Sequence, residues 1–281
     1  MWWDERRPAG RVRGLLFLLH PGPSLLVTAT FVAIGCLAVR GLPGGFRALQ
    51  LAGLMLPIQF AIGVSNDVCD LTADAATQPY KPLVRGMIGP RAAAALAVGL
   101  AVVGLVVAAT ISLGVQALAA GGLAAGLAYN LGLGRTPLSM LPWWAAFVLL
   151  PVAAYMAVAR SVPGIAVLVP LAGVLALSLH CANALPDIPG DRAQSRRSLP
   201  VLLGIGGSRA VSLLASLLAA ILAVVLSPVL GQDVALVAAG AGCVGLAVAL
   251  CTFGGSSRPF PLLAVAGAAL AVTWLAALPA A

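Results

Sequence analysis

Charge is scarce in this chain. Of its 281 residues only 9% are Asp, Glu, Lys or Arg, while 61% are hydrophobic. A soluble domain carries about 25% charged residues, so a water-soluble fold of this length would lack the means to cover itself. Disorder is excluded by the same numbers, because disordered segments are poor in apolar residues. Acids are rarer still, 8 against 16 basic residues. The 5 cysteines, Cys36, Cys69, Cys181, Cys243 and Cys251, are odd in number and form no C-x-x-C pair, which argues against a disulfide framework or a zinc site. The net charge of +8 comes with no nucleic-acid-binding motif, and basic loops at a bilayer surface account for it. What is abundant agrees: 32 Gly and 20 Pro suit spanning helices, which carry both more often than soluble ones. The chain reads as an all-α integral membrane protein.

A spanning helix takes roughly 20 mainly apolar residues. Nine segments qualify, at about 22–40, 46–66, 91–112, 114–131, 139–158, 163–184, 207–230, 234–253 and 260–279. The first apolar stretch begins at Leu15 and outruns a cleavable signal. With nine spans and the N-terminus inside, the cytoplasmic loops and ends hold Arg6, Arg7, Arg11, Arg13, Lys81, Arg85, Arg91, Arg135, Arg192, Arg196, Arg197, Arg209 and Arg258. The opposite face keeps Arg40, Arg47 and Arg160. Thirteen against three is the positive-inside asymmetry, so a cytoplasmic N-terminus, an outer C-terminus and residence in the cell membrane are expected. A single domain over 1–281 is expected, with spans one to four (about 22–131) related to spans five to eight (about 139–253) and a ninth added (about 260–279). The pair Gly122-x-x-x-Gly126 permits close helix contact, whether inside one chain or between two.

The acids are not scattered. Asp4 and Glu5 lie in the N-terminal tail and Asp233 in an outer loop, whereas Asp67, Asp70 and Asp74 end span two and Asp187 and Asp191 end span six. Both groups fall at the cytoplasmic face. An Asp near hydrocarbon costs about 2.5–3.5 kcal/mol at a helix centre, so such residues are functional candidates. Their spacing repeats: Asn66-x-x-x-Asp70-x-x-x-Asp74 is matched by Asn183-x-x-x-Asp187-x-x-x-Asp191. Positions i, i+4 and i+8 share one helix face, and a row of amide and carboxylate oxygens suits a hard divalent cation such as Mg²⁺. One such row is readily a cap or a solvated turn; two identical rows at one membrane face are not. Pro186 and Pro189 interrupt the second row, so its last turn is expected to bend.

Cations follow each row. Gln78-Pro79-Tyr80-Lys81-Pro82-Leu83-Val84-Arg85-Gly86 comes after the first and Arg192-Ala193-Gln194-Ser195-Arg196-Arg197-Ser198-Leu199-Pro200 after the second, while Tyr129-Asn130 and Arg135-Thr136-Pro137 lie between spans four and five. Carboxylates, metal ions and Lys or Arg together make a diphosphate site. Lys81 and Arg135, fixed by Pro and Tyr neighbours, are read as site residues; Arg85 stands between the two readings. Arg196, Arg197 and Arg209 are read as positive-inside anchors.

These motifs resemble those of a known family. Asn66-Asp67-Val68-Cys69-Asp70-Leu71-Thr72-Ala73-Asp74 with Pro79-Tyr80-Lys81-Pro82 is similar to the first signature of the UbiA superfamily of intramembrane prenyltransferases, and Asn183-Ala184-Leu185-Pro186-Asp187-Ile188-Pro189-Gly190-Asp191-Arg192 to the second. Tyr129 with Arg135-Thr136-Pro137 resembles the family's Tyr/basic element after the fourth helix. The resemblance implies nine transmembrane helices in a ring around a central cavity open sideways to lipid, and a prenyl transfer from an isoprenoid diphosphate to an aromatic or lipophilic acceptor. It implies two Mg²⁺ ions, one held by Asn66, Asp70 and Asp74, the other by Asp187 and Asp191 with Asn183 beside them. Lys81, Arg135 and Tyr129 would contact the diphosphate or shape its loop, with Arg85 and Asp67 near it. No residue is assigned as the base that takes the acceptor's proton; Asp67 is named for it only because it lies off the metal-facing row. The chain departs from the family at His20-Pro21, where many members carry Arg or Lys before the proline. His180, one turn before Asn183, faces either the cavity or the packing. The step from Asp74 to Lys81 and the string Ser198-Leu199-Pro200-Val201 look more like the chlorophyll-synthase branch, and the step also like the archaeal-lipid branch, than the 4-hydroxybenzoate branch.

Aromatics able to stabilise an allylic cation are few: Trp143, Trp144, Phe60, Tyr155 and Tyr129. Two other functions share these features. A UbiA-type terpene cyclase would present the same metal site, and an ion-coupled transporter of two related halves would use the acids on its ion. Transporter acids lie near the bilayer midplane, however, whereas these end their helices.

Overall fold

The computed structural model describes residues 8–159, 164–254 and 259–278, with backbone alone for residues 8–11 and Arg13. Asp4, Glu5, Arg6, Arg7, Arg160 and Arg258, used above to orient the chain, lie outside the described residues. Everything regular among the described residues is helical: α1 (Pro8–Leu18), α2 (Pro21–Ala38), α3 (Gly45–Cys69), α4 (Leu71–Thr77), α5 (Pro90–Ile111), α6 (Leu113–Leu131), α7 (Met140–Val158), α8 (Ile165–Ala184), α9 (Ile188–Ala193), α10 (Leu199–Leu226), α11 (Val234–Phe253) and α12 (Phe260–Ala276), with 3₁₀ turns at Leu133–Arg135 and Pro228–Leu230.

Local chemistry sets many boundaries. Pro stands in the first turn of α2, α5, α9, α10 and α12, where its missing N–H costs nothing and its fixed φ is already helical. Ser112 caps α6 by accepting from the Val115 amide at 3.1 Å, and Asp233 caps α11 by accepting from the Ala235 and Leu236 amides. One acid outside the two rows is thereby explained as a cap.

Among the described residues seven helices, α2, α3, α5, α7, α8, α10 and α11, are long and apolar enough to cross a membrane. The other two sequence-read spans coincide with α6, diluted by Gln116, Asn130 and four glycines, and with α12, which is 17 residues long. α10 begins at Leu199, earlier than the span read from about 207, because Ser198-Leu199-Pro200 opens a helix that is then broken at Gly204 (φ 70°, ψ 177°). Only Gly adopts that backbone without steric cost. Hydropathy reports the apolar body after the break and misses the short piece before it.

The long helices pack in chain order, α2 on α3, α3 on α5, and so on to α11 on α12, and α12 returns against α2 to close a ring. Val98, Val102 and Val106 of α5 and Leu214, Leu218 and Val225 of α10 point outward, the apolar exterior that lipid, and not water, tolerates. Gly126 of α6 faces α3: a Cβ there would lie 2.7 Å from Ile62 Cδ1, whereas one at Gly122 would meet nothing. The Gly-x-x-x-Gly pair thus serves a contact inside the chain through one of its two members.

Candidate functional site

Both acidic rows lie where a long helix gives way to a short one. α3 ends at Cys69 and α4 begins at Leu71, with Asp70 (φ −99°, ψ 7°) at the joint. An i→i−4 backbone bond stands on each side of the joint, Asp70 N to Asn66 O at 2.9 Å and Asp74 N to Asp70 O at 2.8 Å. Asn66, Asp70 and Asp74 thus follow one another along a jointed helix and not a continuous one. The second row bends at its prolines as expected: α8 ends at Ala184, Asp187 stands at the start of α9, and Asp191 N bonds Asp187 O at 2.8 Å. Asn183, half-buried, closes α8 just before the bend.

The first row is knitted to the loop behind it. Lys81, the chain's single lysine, is 7% exposed and its Nζ donates to Asp67 Oδ1 and to Asp74 Oδ2, both at 2.8 Å. His20 Nε2 lies 3.2 Å from the same Asp67 oxygen. His20 has a left-handed backbone (φ 48°), and its ring packs where a Cβ on Gly63 would come within 3.0 Å. Gly63, one turn before Asp67, is thus what admits the imidazole to α3. Burial raises the Asp74 pKa, with the Lys81 ammonium opposing it only in part. Burial pulls the Lys81 ammonium down, but its hydrogen bonds and charge contacts with Asp67 and Asp74 outweigh this and hold it above the usual lysine value.

The two rows meet through arginine. Arg196 Nη2 donates to Asp70 Oδ1 at 2.7 Å and its Nη1 lies 3.2 Å from Asp191 Oδ1 as an ion pair, so one guanidinium spans the gap between the motifs. Arg135 Nη2 also donates to Asp70 Oδ1, at 3.0 Å, and to the Cys69 carbonyl. The loops carrying these arginines are joined by Arg197 N to Arg135 O at 3.0 Å. Burial raises the Asp191 pKa, with Arg196 opposing it. Asp187 is exposed beside them, within electrostatic reach of Lys81, Arg196 and Asp70. Asn66 Nδ2 donates to Asp70 Oδ2 (3.4 Å) and to Asn130 Oδ1 (3.3 Å), while Asn130 is fixed on α3 through the Ile62 carbonyl and Ser65.

An aromatic wall adjoins the rows. Tyr129 sits edge-on to Trp143 (centroids 6.3 Å) and to His180 (5.9 Å), and Trp143 stacks on Phe147. His180 is buried, with Nε2 2.9 Å from Ser139 Oγ and its Nδ1 without a partner. Trp144 instead donates to the Val169 carbonyl and Tyr155 to the Leu275 carbonyl, which makes them packing residues. Phe60 is partly buried on α3. Arg85 lies in the turn after Lys81, its amide donating to the Lys81 carbonyl. Arg209 caps the end of α11 through the Cys251 carbonyl at 2.6 Å, as an anchor does.

The sequence reading passed over three residues. Arg196, an anchor by its sequence context, touches both rows; its position five residues beyond Asp191 is the available signal. His20 was noted as a departure and proves to be a partner of Asp67. Asn130 had no signal beyond its place beside Tyr129.

Six oxygen-bearing side chains, Asn66, Asp70, Asp74, Asn183, Asp187 and Asp191, form a hard-donor set that fits a divalent cation better than a soft one. Among the described residues no three carboxylate, imidazole or thiol groups converge as a ready-made metal cage. The geometry explains this, since Lys81 and Arg196 stand between the carboxylates.

Residues 25–259 match the UbiA prenyltransferase family. Digeranylgeranylglyceryl phosphate synthase from Natronomonas pharaonis is 31% identical over 203 residues, which cover 69% of this chain and 70% of that protein. Among solved structures, the apo UbiA homologue from Aeropyrum pernix K1 superposes with a TM-score of 0.70 at 23% identity, covering 88% of this chain and 95% of that one. The UbiA homologue from Archaeoglobus fulgidus bound to GPP and Mg²⁺ gives a TM-score of 0.70 at 18% identity, covering 94% and 98%. At these identities the structural likeness speaks for the fold.

Proposed function

The chain belongs to the UbiA prenyltransferase family, and from that premise we propose that its two aspartate rows bind an isoprenoid diphosphate through Mg²⁺ and pass the prenyl group to a lipophilic acceptor. As a family member it is a prenyltransferase and a multi-pass membrane protein. The reading adds two Mg²⁺ ions, one on Asn66, Asp70 and Asp74 and one on Asp187, Asp191 and Asn183. It also adds nine spans around a central cavity, a cytoplasmic N-terminus and an active site facing the cytoplasm of the cell membrane. The observation that carries it is the single guanidinium spanning Asp70 and Asp191, because rows that close can share one diphosphate.

Bound Mg²⁺ would neutralise charge on the departing diphosphate as the allylic C–O bond breaks. The protein's part is positional. Lys81, Arg135 and Arg85 supply fixed positive charge next to the leaving group, with Asp67 orienting Lys81. The wall of Tyr129 and Trp143 offers π faces to the allylic cation, and an intramembrane pocket keeps water from it. The Archaeoglobus homologue is bound to GPP and Mg²⁺, which makes geranyl diphosphate the first donor to assay, and the product in the Natronomonas relative's name suggests a glyceryl phosphate lipid as the first acceptor.

The test is turnover of geranyl diphosphate with Mg²⁺ in detergent. Asp70→Ala and Asp187→Ala are expected to abolish product while remaining folded and membrane-inserted; full activity in both contradicts the proposal. A cyclic product formed from the donor alone would replace transfer with cyclisation.

A further inference from the structure

Arg196 is held with more care than a surface anchor needs. Ser195 before it adopts a left-handed backbone (φ 58°), a conformation disfavoured in residues that carry a Cβ. That residue ends α9 in a reversing turn, with Ser195 N bonded to Arg192 O and Arg196 N to Asp191 O, both at 3.0 Å, the pattern of a Schellman motif. The next amide, Arg197 N, is tied to the Arg135 carbonyl. Arg196 is thereby fixed on both sides, and its side chain turns back across the site.

Its charge is then in surplus. Asp70 Oδ1 accepts from Arg135 at 3.0 Å and from Arg196 at 2.7 Å, two guanidiniums on one carboxylate oxygen, while Arg135 remains the more exposed of the two. A divalent cation arriving at Asp70 and Asp191 would take over the charge that Arg196 neutralises and repel it. A planar fork freed from two carboxylates matches the oxygens of a diphosphate, which a guanidinium can bind through two parallel N–H groups.

From this we infer that Arg196 is the internal counter-ion of the site and couples metal loading to diphosphate binding. It occupies the gap between the two rows until metal and diphosphate arrive together, and then passes from the carboxylates to a diphosphate oxygen. Metal alone must displace it, and diphosphate gives it somewhere to go. This rests on the reading of the rows as a metal–diphosphate site.

The experiment measures Mn²⁺ binding to the full-length protein in detergent by electron paramagnetic resonance, with and without inorganic diphosphate. In the wild type, diphosphate is expected to tighten Mn²⁺ binding at least about fivefold, the lower end of ordinary coupling between sites. In Arg196→Gln, Mn²⁺ alone binds more tightly than to the wild type, and the added effect of diphosphate falls below about twofold. Arg196→Lys retains part of the coupling. If the Gln variant does not fold, Arg196→Lys carries the same comparison, because Lys offers one nitrogen where the guanidinium places two, one on Asp70 and one on Asp191. Wild-type metal affinity and coupling in the variants would overturn the inference, as would tighter Mn²⁺ binding with coupling unchanged. Asp70→Asn separates the failures: if it too binds Mn²⁺ and diphosphate as the wild type does, the metal–diphosphate reading itself falls.

Discussion

Lys81 shows how much of this site rests on single residues. It lies between two buried carboxylates, so its removal leaves Asp74 without its cation and Asp67 with His20 alone. Breaking a buried pair by deleting one partner costs about 3–5 kcal/mol, and Lys81→Met is expected to lower the unfolding midpoint in detergent sharply and to abolish turnover. Its titration has a definite sign. The folded pKa is raised above 10.5, so the stabilisation is complete below 10.5 and is lost as pH rises through the folded value. Unfolding midpoints measured above that pH should fall in the wild type and hold in Lys81→Arg, whose guanidinium stays charged; parallel curves would contradict the assignment. The acids behave oppositely. Because burial raises the Asp74 and Asp191 pKa values above 3.8, their ionisation weakens the fold as pH rises from about that value. Added Mg²⁺ should therefore raise the midpoint at neutral pH more than at pH 4, where fewer carboxylates are ionised to bind it; a shift of equal size at both would argue against binding at these residues.

Among elements, the close approach of α6 to α3 makes the sharpest demand. Gly126→Leu would drive atoms into Ile62, and overpacking of this kind costs about 1–3 kcal/mol. A lowered thermal midpoint, partly restored by Ile62→Ala, is expected, while Gly122→Ala leaves it unchanged because its Cβ would meet nothing. The reverse ranking would mean that the pair serves a contact between chains. The element scale also shows where pattern reading stops. Spans were legible because apolar runs are local, and the early start of α10 was not, since its first turn lies before the Gly204 break and next to charged residues. The joint at Asp70 was hidden too: the i, i+4, i+8 spacing reads the same in one helix and in two joined end to end.

For the whole molecule the testable matter is orientation. With the rows at the cytoplasmic face, a cysteine placed at Gln78 in a cysteine-free background should react with an impermeant thiol reagent in inverted vesicles only. One placed at Gly41, between α2 and α3, should react in right-side-out vesicles only. The opposite pattern would turn the molecule over and put the active site outside.

Composition and spacing alone determined that this is a helical membrane protein and singled out two Asn-Asp rows as its candidate site, because hydropathy and i, i+4 periodicity are local properties of a chain. Which charges pair across the site was left to tertiary structure. Arg196 and Asp70 are 126 residues apart and His20 and Asp67 are 47 apart; no local rule joins such residues. Only ring closure brings the ends of α3 and α8 together, and the low dielectric of the packed interior then makes a nearby counter-ion obligatory for each buried carboxylate. The sequence therefore named the acids, and the fold decided which cations answer them.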